Sequence, residues 1–442
     1  MSMLAQASMM ACSALAQSSS EPMYFRVALP HTFYAVLAHG RQERLKGFEV
    51  VEWLHLPESK AAEAAFPDED AYEEYLDALE DEAFEVVGAP NPYKGEDGEV
   101  LERRSRWTPE GRITVDENQR PTRSSGPNLL GQVGVQEVKI TVWRAFRSRS
   151  GYTDRNGRFR LRSTRRDHNW RISFKTEDEL KVVGAWGTVR KFRRPGDRTR
   201  SPWRYHFHWW SSEWMSSTIV NGAHQYDRLR ATHGLASPWH SFQLLNVRTA
   251  FGSTDTDSNN NRHSPWPLTN RIKLWSATSN GTVKCTDGLQ RTLAHELTHS
   301  AHYKAGQWHM LNSTDLMTES YAVFVEWLFC ERYYPHQSTA WDADKQNENF
   351  DEMSDGYSAV FIDLEDDVDQ CTDEGDRPDC QDWPDDWVVA YVNPEYQAWV
   401  IQNAVFAEKE INDVDDYLLR TYPNNSQNEL MVILIRGYEG IE

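Results

Sequence analysis

A pair of histidines with a glutamate between them occupies residues 295–299, which read His-Glu-Leu-Thr-His. Residues four apart lie on one face of a helix, so His295 and His299 can point both imidazoles at a single ion. Glu296 follows about 100° further round the helix and borders the open coordination position. A carboxylate beside a zinc-bound water can act as its base. The pattern predicts that His295 and His299 bind zinc and that Glu296 is the general base.

A third metal ligand is expected, because catalytic zinc normally has three protein ligands and one water. Glu319 follows His299 by twenty residues and falls within a second helical stretch, residues 314–334. A helix-turn-helix returns the chain beside the first helix and can direct one carboxylate at the ion. Glu319 is therefore the predicted third ligand, and His309 and Glu326 are the alternatives to it.

The motif at residues 295–299, with Glu319 at that separation and Ala322 three residues further on, resembles the gluzincin (thermolysin-like) metallopeptidases. The resemblance covers about forty residues. It implies that both histidines and Glu319 bind zinc, and that Glu296 takes a proton from the zinc-bound water as that water attacks a peptide carbonyl. The activity it implies is zinc metallopeptidase, with a peptide or protein as substrate.

Two features depart from that family's pattern. Its members place an aspartate four residues after the glutamate ligand to orient a ligating histidine, and this chain has Val323 there, so another residue must do so. They also stabilise the oxyanion with a distant downstream histidine, whereas His336 is the only histidine after Glu319. Tyr321 is a candidate substitute, and two further tyrosines, Tyr357 and Tyr438, are alternatives to it.

His302 lies three residues after His299 and is predicted to be structural, or to support a ligand, rather than to bind the ion. The metzincin pattern requires a histidine six residues after the second ligand, where Ala305 stands, so that class is excluded. The chain has no nucleophile elbow, Walker-type loop or dinucleotide fingerprint. Serine hydrolase, phosphate-binding and redox functions therefore lack support.

Three strands are predicted upstream, because apolar residues alternate along residues 133–175. Asn156-Gly157 is a strong tight-turn signal, since both residues tolerate positive φ. The surrounding segment, residues 151–159, resembles the turn of carboxypeptidase-regulatory-like β-sandwich modules, which implies an accessory module without chemistry of its own. An ordinary hairpin within a larger domain is the alternative.

The predicted fold class is α+β, with a zincin-like catalytic domain whose active-site half is mainly helical, preceded by this module. At 442 residues the chain exceeds the usual size of one core. The predicted divisions are an export leader or tail (1–20), an N-terminal module and linker (21–130), the β-sandwich module (131–180) and the catalytic domain (181–442).

Charge and hydropathy exclude two partner classes. The formal net charge of −20 repels phosphate backbones, so nucleic acid is not an expected partner. No run of eighteen apolar residues is present, so no transmembrane segment is expected.

Residues 1–20 contain Ala14-Leu15-Ala16 before Gln17, which is typical of a signal-peptidase site. We expect a secreted or cell-envelope protein, with lipid attachment at Cys12 or a disordered tail as alternatives.

Cys371 and Cys380 enclose a short acidic loop and form the candidate disulfide, with free thiols as the alternative. The carboxylates of residues 363–376 could bind Ca²⁺ or could form a solvated loop.

A second functional hypothesis is a non-catalytic cell-envelope binding protein on a zincin scaffold. The intact Glu296 argues against it, because a non-catalytic zinc site needs no base.

Overall fold

The computed structural model describes residues 34–36, 42–44, 107–119, 128–144, 147–163, 169–177, 179–184, 188–194, 202–239, 244–254, 271–277, 281, 283–335, 358–365, 396–425 and 428–437. The strands are β1 (Tyr34–Val36), β2 (Gln42–Arg44), β3 (Glu110–Gln119), β4 (Asn128–Gly134), β5 (Lys139–Arg144), β6 (Arg147–Tyr152), β7 (Arg158–Arg160), β8 (Asn169–Ser173), β9 (Leu180–Val183), β10 (Lys191–Arg194), β11 (Trp203–Phe207), β12 (Leu245–Thr254) and β13 (Arg271–Ala277). The helices are α1 (Ser212–His233), α2 (Thr286–Ala305), α3 (Gln307–Met310), α4 (Asp315–Tyr333), α5 (Val360–Asp363), α6 (Ala398–Ala407), α7 (Asn412–Thr421) and α8 (Asn428–Gly437). The fold is α+β, as predicted.

Two four-stranded sheets are built from residues 110–207. The first has the order β10-β8-β5-β6 and is antiparallel throughout. In the second, β3 pairs with β11 in parallel and with β4 and β7 in antiparallel orientation. The predicted strand periodicity is confirmed, because Ile140, Phe159 and Ile172 are all buried.

Aromatic side chains join the two sheets. Trp170 of β8 stacks on Trp203 of β11 with ring centroids 4.8 Å apart, and Phe192 of β10 lies 4.5 Å from Tyr205 of β11. Both tryptophans are almost fully buried. Large aromatic groups bury much apolar surface per residue, so these contacts hold one sheet against the other.

The turn at Asn156-Gly157 carries the chain from β6 in the first sheet to β7 in the second. Asp154 Oδ1 accepts hydrogen bonds from the backbone N–H groups of Asn156 and Arg158, both at 2.8 Å. Gly157 has φ +72°, and a Cβ there would lie 2.0 Å from the carbonyl oxygen of Ile113. The predicted tight turn is confirmed, and only glycine fits where it meets β3.

The helical part surrounds a parallel sheet of order β13-β12-β9. Helix α1 packs against α2, β9 and β12, and α2 packs against α4, β13 and β3. Helix α1 begins at residue 212. It begins there because the Ser211 hydroxyl accepts a hydrogen bond from Trp214 N at 3.0 Å.

Helix α2 carries the His-Glu-Leu-Thr-His motif and is anchored by an apolar stripe. Leu289, Leu293 and Leu297 are fully buried, as their spacing of four residues along a helix predicts. The beginning of the helix is held from outside: Asn118 Oδ1 on β3 accepts hydrogen bonds from Thr286 N (3.1 Å) and Thr286 Oγ1 (2.7 Å). The first turn of the motif helix is therefore attached to the second sheet.

Strand β3 lies within residues 21–130, which the sequence predicted to be an N-terminal module and linker. The structure differs there because Ile113 and Val115 are buried and β3 has partners on both sides. The strands of the two sheets extend on both sides of the predicted boundaries at residues 130/131 and 180/181. The division into domains stays a prediction.

Several predictions fall outside the described residues: the leader with Cys12, the disulfide between Cys371 and Cys380, and the acidic stretch after residue 365. The prediction that the chain is exported rests on residues 1–20 and stays a prediction. Cys285 and Cys330 are both buried. Among the residues that the structure describes, no helix has the length and apolar character needed to cross a membrane.

Candidate metal centre

Three side chains from α2 and α4 converge on one point. Glu319 Oε2 lies 3.0 Å from His295 Nε2, and Glu319 Oε1 lies 3.3 Å from His299 Nε2. The two Nε2 atoms are 3.1 Å apart. The predicted ligands His295, His299 and Glu319 thus present one donor atom each to a common position, and we call these three residues the metal centre.

The helices set this convergence. His295 and His299 are one turn apart on α2, and their rings are nearly perpendicular, at 81° with centroids 4.8 Å apart. Helix α4 begins at the Thr314 cap, whose hydroxyl accepts a hydrogen bond from Met317 N at 3.3 Å, and it packs along α2. The carboxylate of Glu319 is more exposed than the two rings. It therefore forms the outer side of the centre.

The donor set and spacing fit a zinc ion. Tetrahedral zinc with bonds of about 2.0–2.2 Å to nitrogen and oxygen places neighbouring ligand atoms about 3.3 Å apart. The three observed separations, 3.0, 3.1 and 3.3 Å, are close to that value, and the two that involve Glu319 are to different oxygens of its carboxylate. Two imidazoles and one carboxylate are also a ligand set that catalytic zinc sites use.

Glu326 orients one of the rings. Its Oε2 lies 3.1 Å from His295 Nδ1, and its Oε1 lies 2.8 Å from Arg291 Nε. When Nδ1–H donates to Glu326, the lone pair of Nε2 faces the metal centre. Glu326 therefore contacts the side of the ring away from the centre. From the sequence, Glu326 was predicted only as an alternative to Glu319 as the third metal ligand.

Charges around the centre shift the pKa values of its members. Burial alone would lower the pKa of His295, but hydrogen bonds to Glu319 and Glu326 outweigh it and raise the pKa to about 10. Burial would raise the pKa of Glu319, and hydrogen bonds to His295 and His299 reverse this and lower it. Without an ion, a proton holds the carboxylates and the imidazole together.

Glu296 is buried next to the centre but belongs to none of these pairs. Its Oε2 has no hydrogen-bond partner among the described residues. Burial, reinforced by the negative charges of Glu319 and Glu326, raises the pKa of Glu296 to about 8 although His295 and Lys284 oppose the shift. A buried carboxylate oxygen without a partner needs a cation, a proton or a water to satisfy it, which fits a base beside a metal-bound water.

The other residues singled out in the sequence lie apart from the three donor atoms. His302 is 1% exposed and stacks on Phe406 with ring centroids 4.8 Å apart. The Tyr321 hydroxyl donates to Gln402 Oε1 at 3.0 Å, inside the core. His309 lies near His302, with ring centroids 6.0 Å apart. Tyr357, Tyr438 and His336 are not among the described residues.

Sequence reasoning missed a second cluster of ligand-type side chains, formed by Asp116, His206 and His208. The available signal was the alternation of two histidines along a strand, which places both on one face. The aspartate comes from another strand about ninety residues earlier, so no local pattern connects it to them.

Comparisons with known proteins identify no relative: no family model matches this chain, and no curated protein is detectably similar to it.

Proposed function

We propose that this protein is a zinc metallopeptidase of the gluzincin type, with a zincin-like catalytic domain. The observation that carries the proposal is the convergence of His295, His299 and Glu319, whose donor atoms lie 3.0 to 3.3 Å apart. Glu296 stands next to them on the same helix turn as His295. The two aromatic-linked sheets upstream support the proposed β-sandwich module.

Each residue has a distinct role. His295, His299 and Glu319 would hold a zinc ion, which, when bound, would lower the pKa of its water to about 7 and polarise a carbonyl. Glu296 would accept a proton from that water as the water oxygen bonds to the carbonyl carbon, and would pass the proton to the amine that leaves when the C–N bond breaks. The raised pKa of Glu296, about 8, is a property of the ion-free centre. Positive charge held at the three ligands lowers it, so Glu296 is ionised in the loaded enzyme.

The substrate side of the proposal is an extended peptide. Strand β13 is the terminal strand of its sheet within the described residues, and it comes shortly before α2 in the chain. Its last two residues already pair with Val283 and Lys284, so the edge meant here is that of the earlier residues of the strand. A terminal strand leaves one row of backbone N–H and C=O groups to pair with an added chain. A peptide bound along β13 in this way would be held by backbone hydrogen bonds, largely independently of its side chains.

The test is cleavage of a diverse peptide library by the full chain, with and without a chelator, in the wild type and in Glu296→Gln. The amide keeps the shape of the side chain but is not a base, so the variant should retain zinc and lose at least about 100-fold in cleavage rate. Glu331→Gln, an exposed change on α4, is the matched control and should behave as wild type.

Chelation should abolish cleavage, and added zinc should restore it. A wild-type protein that binds zinc but cleaves no peptide in the library would contradict the proposal and favour a binding protein on the same scaffold. Loss of zinc from Glu296→Gln would assign Glu296 a structural role.

A further inference from the structure

A second group of metal-type ligands lies at the edge of the sandwich, where β11 ends and α1 begins. We call Asp116, His206 and His208 the accessory triad. In the parallel pairing of β11 with β3, His206 is opposite Thr114 and Phe207 is opposite Val115. Because side chains alternate along a strand, His206 and His208 share one face, and Asp116 lies on the neighbouring strand beside them.

The three side chains meet around the carboxylate. His206 Nε2 lies 2.7 Å from Asp116 Oδ1, and His208 Nδ1 lies 3.6 Å from Asp116 Oδ2. One ligand atom from each of the three residues falls within 4.8 Å of the other two. The two imidazole rings are nearly perpendicular, at 82° with centroids 4.5 Å apart, which is close to the arrangement of the metal centre.

Neighbouring groups fix the orientation of the triad. Thr114 Oγ1 lies 2.9 Å from His206 Nδ1, so the other nitrogen of that ring faces the aspartate. Asp116 Oδ2 accepts a hydrogen bond from Trp209 N at 2.8 Å. The side chains of Asp116 and His206 are mostly buried, whereas that of His208 is 82% exposed. Thr114 and the backbone of Trp209 therefore hold the triad on its buried side, and the exposed side, at His208, is open to ions.

The adjoining backbone is strained. Trp210, two residues after His208, has φ +60°, a conformation that costs a non-glycine residue of order 1 kcal/mol or more. Such strain persists only where surrounding contacts hold it, and it concentrates at binding sites. The residue before it, Trp209, donates its backbone N–H to the carboxylate of Asp116.

The triad lies where the sandwich joins the helical part. The carbonyl oxygen of Asp116 accepts a hydrogen bond from Trp214 Nε1 in the first turn of α1, at 3.1 Å. Two residues further along β3, Asn118 holds the first residue of α2. An ion bound to Asp116 would therefore restrain β3, β11 and the beginnings of both α1 and α2.

We propose that Asp116, His206 and His208 form a second binding site for a divalent transition-metal ion, separate from the metal centre, which fastens the sandwich to the motif helix. Two imidazoles and one carboxylate suit zinc and its neighbours rather than calcium or magnesium, which prefer oxygen ligands. Solvent takes the remaining coordination positions on the exposed side of the site, next to His208. The ion stabilises the joint and takes no part in the chemistry of Glu296.

Co²⁺, which substitutes for zinc and absorbs visible light, is titrated into the metal-free full-length chain. Five forms are compared: wild type, His208→Gln, Glu319→Ala, the double variant of these two residues, and His233→Gln. The His208 side chain is largely exposed, so its replacement leaves the fold intact. His233→Gln, near the end of α1, is the control for loss of a histidine. Thermal unfolding with and without Zn²⁺ accompanies each titration.

Wild type and His233→Gln should bind two ions, each single variant one, and the double variant none. Zn²⁺ should raise the Tm of Glu319→Ala but not that of the double variant. The proposal is overturned if Glu319→Ala binds no ion or if His208→Gln binds two ions. Asp116 and His206 are then a hydrogen-bonded pair only. If Glu319→Ala keeps both ions while His208→Gln loses one, the accessory site is supported and the proposed function is contradicted.

Discussion

Glu326 Oε2 lies 3.1 Å from His295 Nδ1, and the other oxygen of the same carboxylate lies 2.8 Å from Arg291 Nε. The thermolysin-like pattern would place an orienting aspartate at residue 323, where this chain has Val323. Glu326 is seven residues after Glu319, which is about two helical turns, so both carboxylates project from one face of α4. The carboxylate of Glu319 faces the metal centre, and that of Glu326 contacts Nδ1 of His295, on the opposite side of the ring.

Glu326→Gln should weaken zinc binding. The amide keeps the size of the side chain but removes the charge that fixes the His295 ring and increases its basicity, and loss of such a partner costs roughly 10- to 100-fold in metal affinity. Competition with a chelator of known affinity measures the change. Glu331→Gln on the same helix should leave the affinity unaltered, and equal affinities in the two variants would remove Glu326 from the site.

Zinc binding should release protons. In the ion-free protein the pKa of His295 is raised to about 10 and that of Glu296 to about 8, so both groups carry a proton at pH 7. A ligating imidazole nitrogen must give up its proton, and Glu296 loses its proton beside the cation. Calorimetry in buffers of different ionisation enthalpy should show at least about one proton released per ion at the metal centre, and fewer in Glu296→Gln. Affinity should accordingly rise with pH, and a pH-independent affinity would contradict this description.

His302 should make the protein less stable in acid. Burial, with the nearby His299 and His309, lowers the pKa of His302 to about 3, whereas in the unfolded chain it is about 6.5. The unfolded state therefore binds a proton that the folded state does not. The resulting stability is complete above pH ~6.5 and is lost as the pH falls toward 3.

The matching variant is His302→Phe, which keeps an aromatic ring against Phe406 but does not titrate. Between pH 7 and pH 5, wild type should lose about 2 kcal/mol more of its free energy of unfolding than the variant does. Urea unfolding of chelator-treated protein at the two pH values measures this difference. Parallel losses in the two proteins would show that His302 is protonated without cost.

How much of the site could be predicted from the sequence alone depended on how far apart its residues are along the chain. The positions of His295, His299 and Glu319 follow from helical spacing and one short loop, so the pattern was sufficient to bring them together. The role of Glu326 was within reach, because its spacing from Glu319 places both on one helix face. It was missed because it was considered only as a metal ligand, and geometry decides between the two roles.

The accessory triad and the course of β3 could not be predicted in the same way. Asp116 reaches His206 only through parallel pairing of strands about ninety residues apart, and no local signal specifies such a pairing. Strand β3 has few apolar residues, mainly Ile113 and Val115, amid charged and polar ones. Its composition therefore favoured a linker, and tertiary contacts overrode that preference.

Asn118→Ala should loosen the beginning of the motif helix. Asn118 provides a hydrogen-bond acceptor for Thr286 N, and the side chain of Cys285, the residue before the helix, makes no capping hydrogen bond. Loss of a cap of this kind costs about 1–2 kcal/mol. Chemical unfolding should show this loss, and hydrogen exchange should be faster in the first turn of α2. Asn403→Ala, at an exposed position of α6, should change neither, and a neutral Asn118→Ala would contradict the attachment of α2 to β3.

The most direct test of the central claim is anomalous scattering at the zinc edge from a crystal of zinc-loaded protein. We predict an anomalous peak about 2.0–2.2 Å from His295 Nε2, His299 Nε2 and a carboxylate oxygen of Glu319, with Glu296 bordering the remaining position. A peak elsewhere, with no ion between the two imidazoles, would contradict the account. So would a Glu319 carboxylate turned away from both rings.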